Sequence, residues 1–192
     1  MQNFIYEFIQ FLARMIFRIF FRVEIVGQKN IPKTGAYIFA SNHLSNLDPP
    51  LVGCFSTRHD VYYFAKEELF KNKIFGAFLK YIKAFPVKRG KVDINAMNYV
   101  FEILKNNHCL VIFPEGTRRK NNKYYPKKGL GFIYSNLKTN VSIIPTKVIN
   151  TDKFYSFKKM RLIYGKPLKL DKNMNYLEMS KFVLEKIDNL YF

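Results

Sequence analysis

The sequence predicts an α/β fold: a single layered domain with a mixed sheet flanked by helices, preceded by an amphipathic membrane-interface helix at the N-terminus. The chain has 192 residues, of which 48% are hydrophobic, which suits one domain with a substantial core. Short β-branched runs alternate with segments of helical spacing, a pattern typical of layered α/β domains. The opening segment differs from the rest, so we divide the chain into a helix at residues 1–22 and a domain at residues 23–192.

Residues 4–21 are almost all large and apolar. Polar residues recur every three or four positions, within a sector of roughly 120° on a helical wheel. A helix with a wide apolar face and a narrow basic stripe lies in the membrane interface, and the arginines of the stripe suit an anionic leaflet. The polar residues are Asn3, Glu7, Gln10, Arg14, Arg18 and Arg22.

Three other interpretations of this segment compete. A helix across the bilayer would bring Arg14 and Arg18 into hydrocarbon, at about 2.5–3.5 kcal/mol each. A signal peptide would begin with basic residues and end at a small-residue cleavage site, whereas here Glu7 comes before the arginines. A helix packed into the core is the strongest rival, but so wide an apolar face is hard to bury in one small domain. We therefore expect a peripheral or monotopic protein on the cytoplasmic face of the cell membrane.

Each predicted strand is a short β-branched or apolar run bounded by turn residues. Gly27 ends the first strand, Ser41 follows the second, and Pro114 follows the fourth. The predicted strands lie at residues 23–26, 36–40, 61–65, 109–113, 142–148 and 160–164.

Apolar residues spaced by three or four predict most of the remaining helices. Asp48 followed by Pro49 indicates a helix start, with Asp48 as the N-cap and Pro49 at the first helical position. The polar stretch at residues 118–128 is the most loop-like part of the chain. Further helices are predicted at residues 67–82, 93–105, 129–138 and 177–191.

The charge of the chain predicts an anionic partner. Lys and Arg number 32 against 14 Asp and Glu, for a formal charge of +18, which favours nucleic acid, an anionic membrane surface or a phosphorylated substrate. A nucleic-acid-binding module would cluster basic residues on one face with aromatic residues for stacking. Here the basic residues are dispersed behind an apolar helix, so we favour the membrane surface, expect no nucleic acid partner, and keep the nucleic-acid module as the less favoured alternative.

A candidate catalytic pair follows the second predicted strand. His43 precedes Asp48 by five residues, a spacing that would put them on different faces of a regular helix. A turn over residues 42–47 would instead fold His43 back, so that the Asp48 carboxylate accepts one ring N–H and the other nitrogen can take a proton from a bound hydroxyl. This is a Ser-His-Asp arrangement in which the substrate supplies the hydroxyl. The alternative is a surface histidine beside a helix-capping aspartate.

A second polar cluster, at residues 114–119, follows the strand at residues 109–113. Gly116 lets the backbone turn sharply and approach a ligand. Arg118 offers a two-pronged donor that fits a phosphate. Thr117 adds a hydroxyl, and Glu115 could orient Arg118 or bind glycerol hydroxyls. The alternative is a solvated basic loop. Because ligands gather beyond the strand ends of open α/β sheets, we expect the two clusters to form one site.

Together these clusters resemble the motifs of the glycerolipid acyltransferase family, that of the 1-acyl-sn-glycerol-3-phosphate acyltransferases. The family's Asn-His, four residues and Asp match residues 42–48, and its Phe-Pro-Glu-Gly-Thr-Arg matches residues 113–118 without change. A further family block, an apolar run that ends in Pro, resembles Val-Ser-Ile-Ile-Pro at residues 141–145, although Thr146 stands where a small apolar residue is common. The resemblance covers about residues 22–168. The block that begins Lys-x-Glu resembles Lys66, Glu68, Gly76 and Arg89.

The resemblance implies an enzyme that transfers a fatty acyl group from an acyl-carrier protein or coenzyme A thioester to the free sn-2 hydroxyl of lysophosphatidate, giving phosphatidate in phospholipid biosynthesis. It implies that His43 is the general base, that Asp48 orients it, and that Arg118 holds the acceptor phosphate. It implies no metal and no cofactor, and a family member for another lysophospholipid acceptor is the main alternative. The remaining candidates for substrate binding are Asn42, Glu115, Gly116, Thr117, Lys66 and Arg89.

Overall fold

The apolar runs of the sequence form one sheet in the computed structural model, which describes residues 2–88, 93–119, 125–156 and 158–191. The order of the strands across the sheet is first, seventh, sixth, second, fifth, third and fourth. In chain order the strands are β1 (Glu24–Val26), β2 (Tyr37–Ser41), β3 (Val61–Lys66), β4 (Ala84–Val87), β5 (Cys109–Ile112), β6 (Ser142–Ile149) and β7 (Arg161–Tyr164).

The sheet is mixed, as the sequence predicts. Strands β6, β2, β5, β3 and β4 all run parallel to one another. Strand β7 pairs antiparallel with β6 and carries β1 parallel to itself at the edge. The five parallel strands therefore share one carboxyl edge, and the loops that leave β2, β3, β4 and β5 all emerge there.

Helices cover both faces of the sheet. The helices are α1 (Gln2–Phe20), α2 (Asp48–Cys54), α3 (Lys73–Tyr81), α4 (Ile94–Lys105), α5 (Gly129–Ser135) and α6 (Tyr176–Asp188). Alternate strand residues point to opposite faces, so Ile38 and Leu110 join the core formed with α4, α5 and α6, whereas Phe39 and Val111 join the core formed with α1, α2 and α3. Three layers result, with both faces of the central strands buried.

Two sequence predictions fail between residues 67 and 87. The predicted helix at residues 67–82 is split into a 3-10 segment, Glu67–Phe70, and α3, because the Asn72 side chain accepts a hydrogen bond from the Phe75 amide and starts a new helix. Strand β4 was not predicted at all. It is a short edge strand that contains Pro86, and a proline weakens the strand signal although an edge strand tolerates it.

Helix α1 contacts the domain along one edge of its polar stripe, and its broad apolar face points outward, with Glu7 and Arg18 also exposed. Gln10 and Phe17 are buried, His59 Nδ1 lies 2.9 Å from the Gln10 amide oxygen, and Arg14 donates to the carbonyl of Cys54 at 3.3 Å. The sequence interpretation placed the arginines of the stripe against lipid, and the structure instead directs Arg14 to the protein. The large exposed side chains of α1 are Phe4, Ile5, Phe8, Phe11, Leu12, Met15, Ile16, Ile19 and Phe20.

The outward apolar face also contradicts the rival interpretation in which α1 packs into the core, because the core receives only the edge of the helix. Within the residues that the structure describes, no helix is both long and apolar enough to cross a membrane. A hydrophobic surface of this extent on one helix is unusual for a soluble monomer and typical of a contact site.

Candidate active site

His43 and Asp48 meet in a buried corner beyond the carboxyl end of β2. His43 Nδ1 lies 2.8 Å from Asp48 Oδ2, and the same oxygen accepts the amides of Leu44 at 2.6 Å and Ser45 at 2.7 Å. Asp48 is fully buried, and His43 is 7% exposed. The carboxylate thus holds the ring by one nitrogen and leaves Nε2 available, which is the geometry of a histidine prepared to take a proton.

The turn between the two residues explains why His43 reaches Asp48. The sequence prediction makes Asp48 the N-cap of α2, but the helix already includes Asp48, and Leu47 is the N-cap. Pro49 and Pro50 have no amide N–H to offer a capping carboxylate. The Asp48 side chain therefore bonds backward to the turn at Leu44 and Ser45, and this backward direction brings it to the histidine.

Two contacts from the segment after β5 fix His43 further. Its ring stacks on Phe113, with the ring centroids 4.0 Å apart and the planes 20° apart. The backbone amide of Arg119 donates to the His43 carbonyl at 2.8 Å. The segments that follow β2 and β5 leave the sheet side by side, because Ala40 of β2 is in register with Ile112 of β5. The two polar clusters of the sequence therefore adjoin, as predicted.

The second cluster divides into a buried anchor and an exposed loop. Glu115 is 2% exposed, and Arg119 Nε donates to its Oε1 at 2.7 Å. Burial raises the pKa of Glu115 to about 7, although the Arg119 guanidinium acts in the opposite direction. Gly116 turns the chain at a φ of 65°, and Thr117 and Arg118 are exposed. Glu115 therefore pairs with Arg119 and not with Arg118, which the sequence interpretation had suggested.

Arg119 also reaches the last helix. Its guanidinium donates to Asp188 Oδ1 at 3.0 Å, at the end of α6, and Lys147 Nζ donates to the Asp188 carbonyl at 2.6 Å. This pairing is not predictable from the sequence, because Asp188 lies 69 residues away and nothing local marks the pair. The one sequence feature that points to a role for Arg119 is its position directly after the Phe-Pro-Glu-Gly-Thr-Arg run.

Asn42 has a structural role in this geometry. Its side-chain amide donates to the Val148 carbonyl at 2.9 Å, and its Oδ1 accepts the Val148 amide at 2.8 Å. These two bonds join the end of β2 to β6, beside the turn that carries His43. The effect of Asn42 on the site is therefore through the position of the histidine, which the sequence did not suggest.

The candidates from the Lys-x-Glu block lie farther along the same edge. Lys66 ends β3, in register with Val87 of β4, and is exposed. Gly76 is buried in α3, where a Cβ atom would lie 2.9 Å from the Phe70 carbonyl oxygen, so its small size serves packing. Arg89 lies outside the described residues.

Other reactive groups of the domain are ill suited to covalent chemistry. Burial raises the pKa of Cys54 to about 11 and that of Cys109 to about 12, so both thiols stay protonated near neutral pH. Ser45 Oγ accepts the Leu47 amide at 3.2 Å and supports the turn. Among the described residues, no cluster of His, Cys, Asp or Glu could hold a metal ion.

Residues 22–149 match the sequence profile of the family described as acyltransferase. The chain belongs to the acyltransferase family. It is 27% identical over 163 residues to the 1-acyl-sn-glycerol-3-phosphate acyltransferase of Bacillus subtilis. The aligned region covers 85% of this acyltransferase and 82% of the relative. It is 34% identical over 144 residues to the 1-acyl-sn-glycerol-3-phosphate acyltransferase alpha of Mus musculus, which covers 73% of this chain and 50% of the mouse protein.

The fold of this acyltransferase resembles a solved structure of the same family. The crystal structure of the 1-acyl-sn-glycerophosphate acyltransferase PlsC from Thermotoga maritima superimposes with a TM-score of 0.76 at 25% sequence identity, covering 97% of this chain and 78% of that one. The family assignment that the sequence motifs suggested is therefore confirmed, and so is the layered α/β fold.

Proposed function

We propose that this acyltransferase moves a fatty acyl group from an acyl-carrier protein or coenzyme A thioester to the sn-2 hydroxyl of lysophosphatidate, giving phosphatidate for phospholipid biosynthesis. The observation that carries the proposal is the 2.8 Å contact between His43 Nδ1 and Asp48 Oδ2 in a buried corner, with the exposed Arg118 in the adjoining loop. The bacterial and mouse relatives, both named 1-acyl-sn-glycerol-3-phosphate acyltransferases, support the choice of acceptor.

The reaction needs one base and no covalent enzyme intermediate. Asp48 accepts the Nδ1–H bond of His43, which leaves the lone pair on Nε2 for the acceptor hydroxyl. As that proton moves to Nε2, the hydroxyl oxygen attacks the thioester carbonyl carbon. The tetrahedral intermediate then collapses, the carbon–sulfur bond breaks, and the departing thiolate takes the proton back from His43. The buried Asp48 charge stabilises the imidazolium that exists between the two steps.

The exposed loop supplies the positive charge that a phosphomonoester acceptor requires. Arg118 can place two N–H groups on one phosphate, and Thr117 adds a hydroxyl donor. A Cβ atom on Gly116 would lie 3.3 Å from Lys127 Cγ, so the Lys127 side chain runs beside the turn and brings a second cation close to it. The proposal assigns Lys66 to the acceptor side as well, because it ends β3 at the same edge of the sheet, and it assigns Arg89 there from the resemblance of the Lys-x-Glu block alone.

The proposal places the protein on the cytoplasmic face of the cell membrane, held by residues 1–22 while residues 23–192 carry the reaction. The outward apolar face of α1 would enter one leaflet. The charge of +18 would draw the domain to anionic lipid. A lipid acceptor would then reach the site from the leaflet in which it resides.

Turnover with a panel of substrates tests the activity. Purified full-length protein is given lysophosphatidate, lysophosphatidylcholine, lysophosphatidylethanolamine and lysophosphatidylglycerol, each with an acyl-coenzyme A and with an acyl-carrier protein thioester. We expect the highest kcat/KM with lysophosphatidate. Preference for another lysolipid would support the alternative acceptor, and failure with every pair would refute the proposal. The comparison of donors decides which thioester is used.

Introducing charged residues on the apolar face of α1 tests whether this helix attaches the protein to the membrane. Leu12 and Ile16 are exposed, so the double variant Leu12→Glu/Ile16→Glu is expected to fold normally while losing co-sedimentation with anionic vesicles in high salt. The salt removes most of the long-range attraction, which decays over about 8–10 Å at physiological ionic strength. Leu177→Glu, at the first turn of α6, is the matched control and is expected to co-sediment like the wild type. Retention of the double variant would show that the anchor lies elsewhere.

A further inference from the structure

A second apolar surface lies on α3 and on the 3-10 segment before it. Ile74 is 86% exposed, and Leu69, Phe75 and Phe78 are each more than 40% exposed. Phe78 is four positions from Ile74 and three from Phe75, so it lies beside each of them on the helix surface, and the three form one broad side of α3. Large apolar side chains grouped in this way mark a contact surface, whereas a single exposed one needs no explanation.

Helix α3 touches its own domain only lightly. Its buried residues are Gly76 and Leu79, and the other side chains from Lys73 to Lys80 are exposed. The absence of a side chain at Gly76 lets the helix lie against the backbone of Phe70. The helix therefore meets the core chiefly through Leu79, with Ile74, Phe75 and Phe78 turned outward.

The surface on α3 adjoins α1. The ring of Tyr6 in α1 lies 6.4 Å from the ring of Tyr81, the last residue of α3, and Lys83 Nζ lies 5.1 Å from the centre of the Tyr6 ring. Exposed lysines accompany the apolar residues at positions 71, 73 and 80. An apolar centre with surrounding cations matches the chemistry of an anionic lipid surface.

We propose that the apolar face of α3 is a second membrane-insertion surface, which enters the same anionic leaflet as α1. The inference rests on the membrane attachment proposed for α1 and extends it to a helix inside the domain. Strand β3 runs to the same carboxyl edge as β2 and β5, and its end leads directly into Leu69 and α3. Insertion of two adjoining helices would thus fix the tilt of the domain and hold the edge that carries His43 against the lipid surface.

Single tryptophan reporters test this directly, because the chain contains no Trp. The three variants are Ile74→Trp on α3, Ile16→Trp on α1 and Leu177→Trp on α6. The Leu177 site is the negative control, since α6 ends at Asp188 near the active-site edge and its first turn lies about 18 Å away. Each variant is mixed with vesicles of phosphatidylglycerol and brominated phosphatidylcholine, whose bromine atoms quench tryptophan that enters the acyl region.

We expect Ile74→Trp and Ile16→Trp to shift to the blue and to be quenched, and Leu177→Trp to keep its emission. Quenching of Ile16→Trp alone would overturn the inference and leave α1 as the anchor. If neither Ile74→Trp nor Ile16→Trp shifts or is quenched, attachment by both helices is overturned. Turnover of lysophosphatidate in detergent is a separate test of the proposed reaction. An emission shift of Ile74→Trp with acidic acyl-carrier protein, but not with vesicles, would make the surface a donor-docking site and overturn insertion.

A charge at the same position supplies an independent measurement. Ile74→Glu is expected to weaken partitioning into the anionic vesicles about 10-fold or more, the scale of removing one large aliphatic side chain from an apolar environment. Because Ile74 is almost fully exposed, the variant is expected to keep its thermal stability and its turnover in detergent. Unchanged partitioning would contradict insertion of α3.

Discussion

The two halves of the active site are held in opposite ways. At the His43–Asp48 corner one carboxylate oxygen contacts the ring and two backbone amides, and Phe113 covers the ring. The loop at residues 116–118 lies exposed, next to the buried pair that Glu115 forms with Arg119. Under the proposed mechanism, the difference means that the base is aligned before substrate arrives, whereas the side proposed to bind phosphate is completed by the substrate itself. Such prior alignment is the source of large rate effects, and loop contacts contribute smaller ones.

The largest expected effect comes from removing the base. His43→Ala is expected to lower kcat by ~10²-fold or more, the usual scale for general base catalysis, while the unfolding temperature changes little. His108→Ala is the matched control, because His108 contacts Asp60 near the opposite end of β5, and its turnover is expected to equal the wild type. Near wild-type turnover in folded His43→Ala protein would refute the mechanism.

Changing the partner of the base is expected to have a nearly equal effect. Asp48→Asn would offer His43 Nδ1 an amide N–H in place of an acceptor, which favours the wrong tautomer and is expected to cost ~10²-fold or more in kcat. Because the two residues act as one unit, the double variant His43→Ala/Asp48→Asn is expected to be hardly slower than His43→Ala alone. Losses that multiply in the double variant would mean that the two residues act separately.

A smaller effect is expected on the open side of the site. If Arg118 binds the acceptor phosphate as proposed, Arg118→Ala removes a charge-assisted contact of about 1.5–3 kcal/mol, so kcat/KM for lysophosphatidate is expected to fall about 10- to 150-fold. An acceptor without a phosphomonoester is expected to lose less. Lys105→Ala, at the end of α4, controls for the loss of one positive charge. Equal losses for both acceptors would contradict phosphate recognition by Arg118.

The smallest effect concerns the anchor beneath the loop. The folded protein keeps the Glu115 proton up to a pKa of about 7, while the unfolded chain releases it near 4.5. The free energy of unfolding is therefore expected to decrease as pH rises through this window, by at most about 1.36 kcal/mol per pH unit from this group.

Denaturant titrations at pH 5 and pH 8 measure that decrease. Glu115→Gln cannot titrate and is expected to show a smaller decrease than the wild type. Glu185→Gln changes an exposed glutamate of α6 and is expected to behave as the wild type does. An identical decrease in Glu115→Gln and wild type would show that Glu115 does not titrate in this range.

Local patterns predicted much of this site. The strands before both clusters, the turn that returns His43 to Asp48, and the meeting of the two clusters at one edge all follow from short sequence signals. The pairs that join distant segments did not, since Arg119 with Asp188, and Asn42 with Val148, depend on how α6 and β6 pack. The outward apolar face of α1 follows from its width, but the contact of Arg14 with the domain does not, because a helical wheel does not show which edge of a stripe meets the protein.

The outward orientation of the apolar face of α1 affects how the protein behaves in water. Copies that meet through their outward apolar faces would adhere, and the mutual repulsion of molecules carrying +18 is what opposes this. Added salt shortens the range of that repulsion, to about 3 Å at 1 M, and leaves the apolar attraction in place. We therefore expect ionic strength to set colloidal stability in a lipid-free buffer, with concentrated salt promoting association of the protein and dilute salt keeping it dispersed.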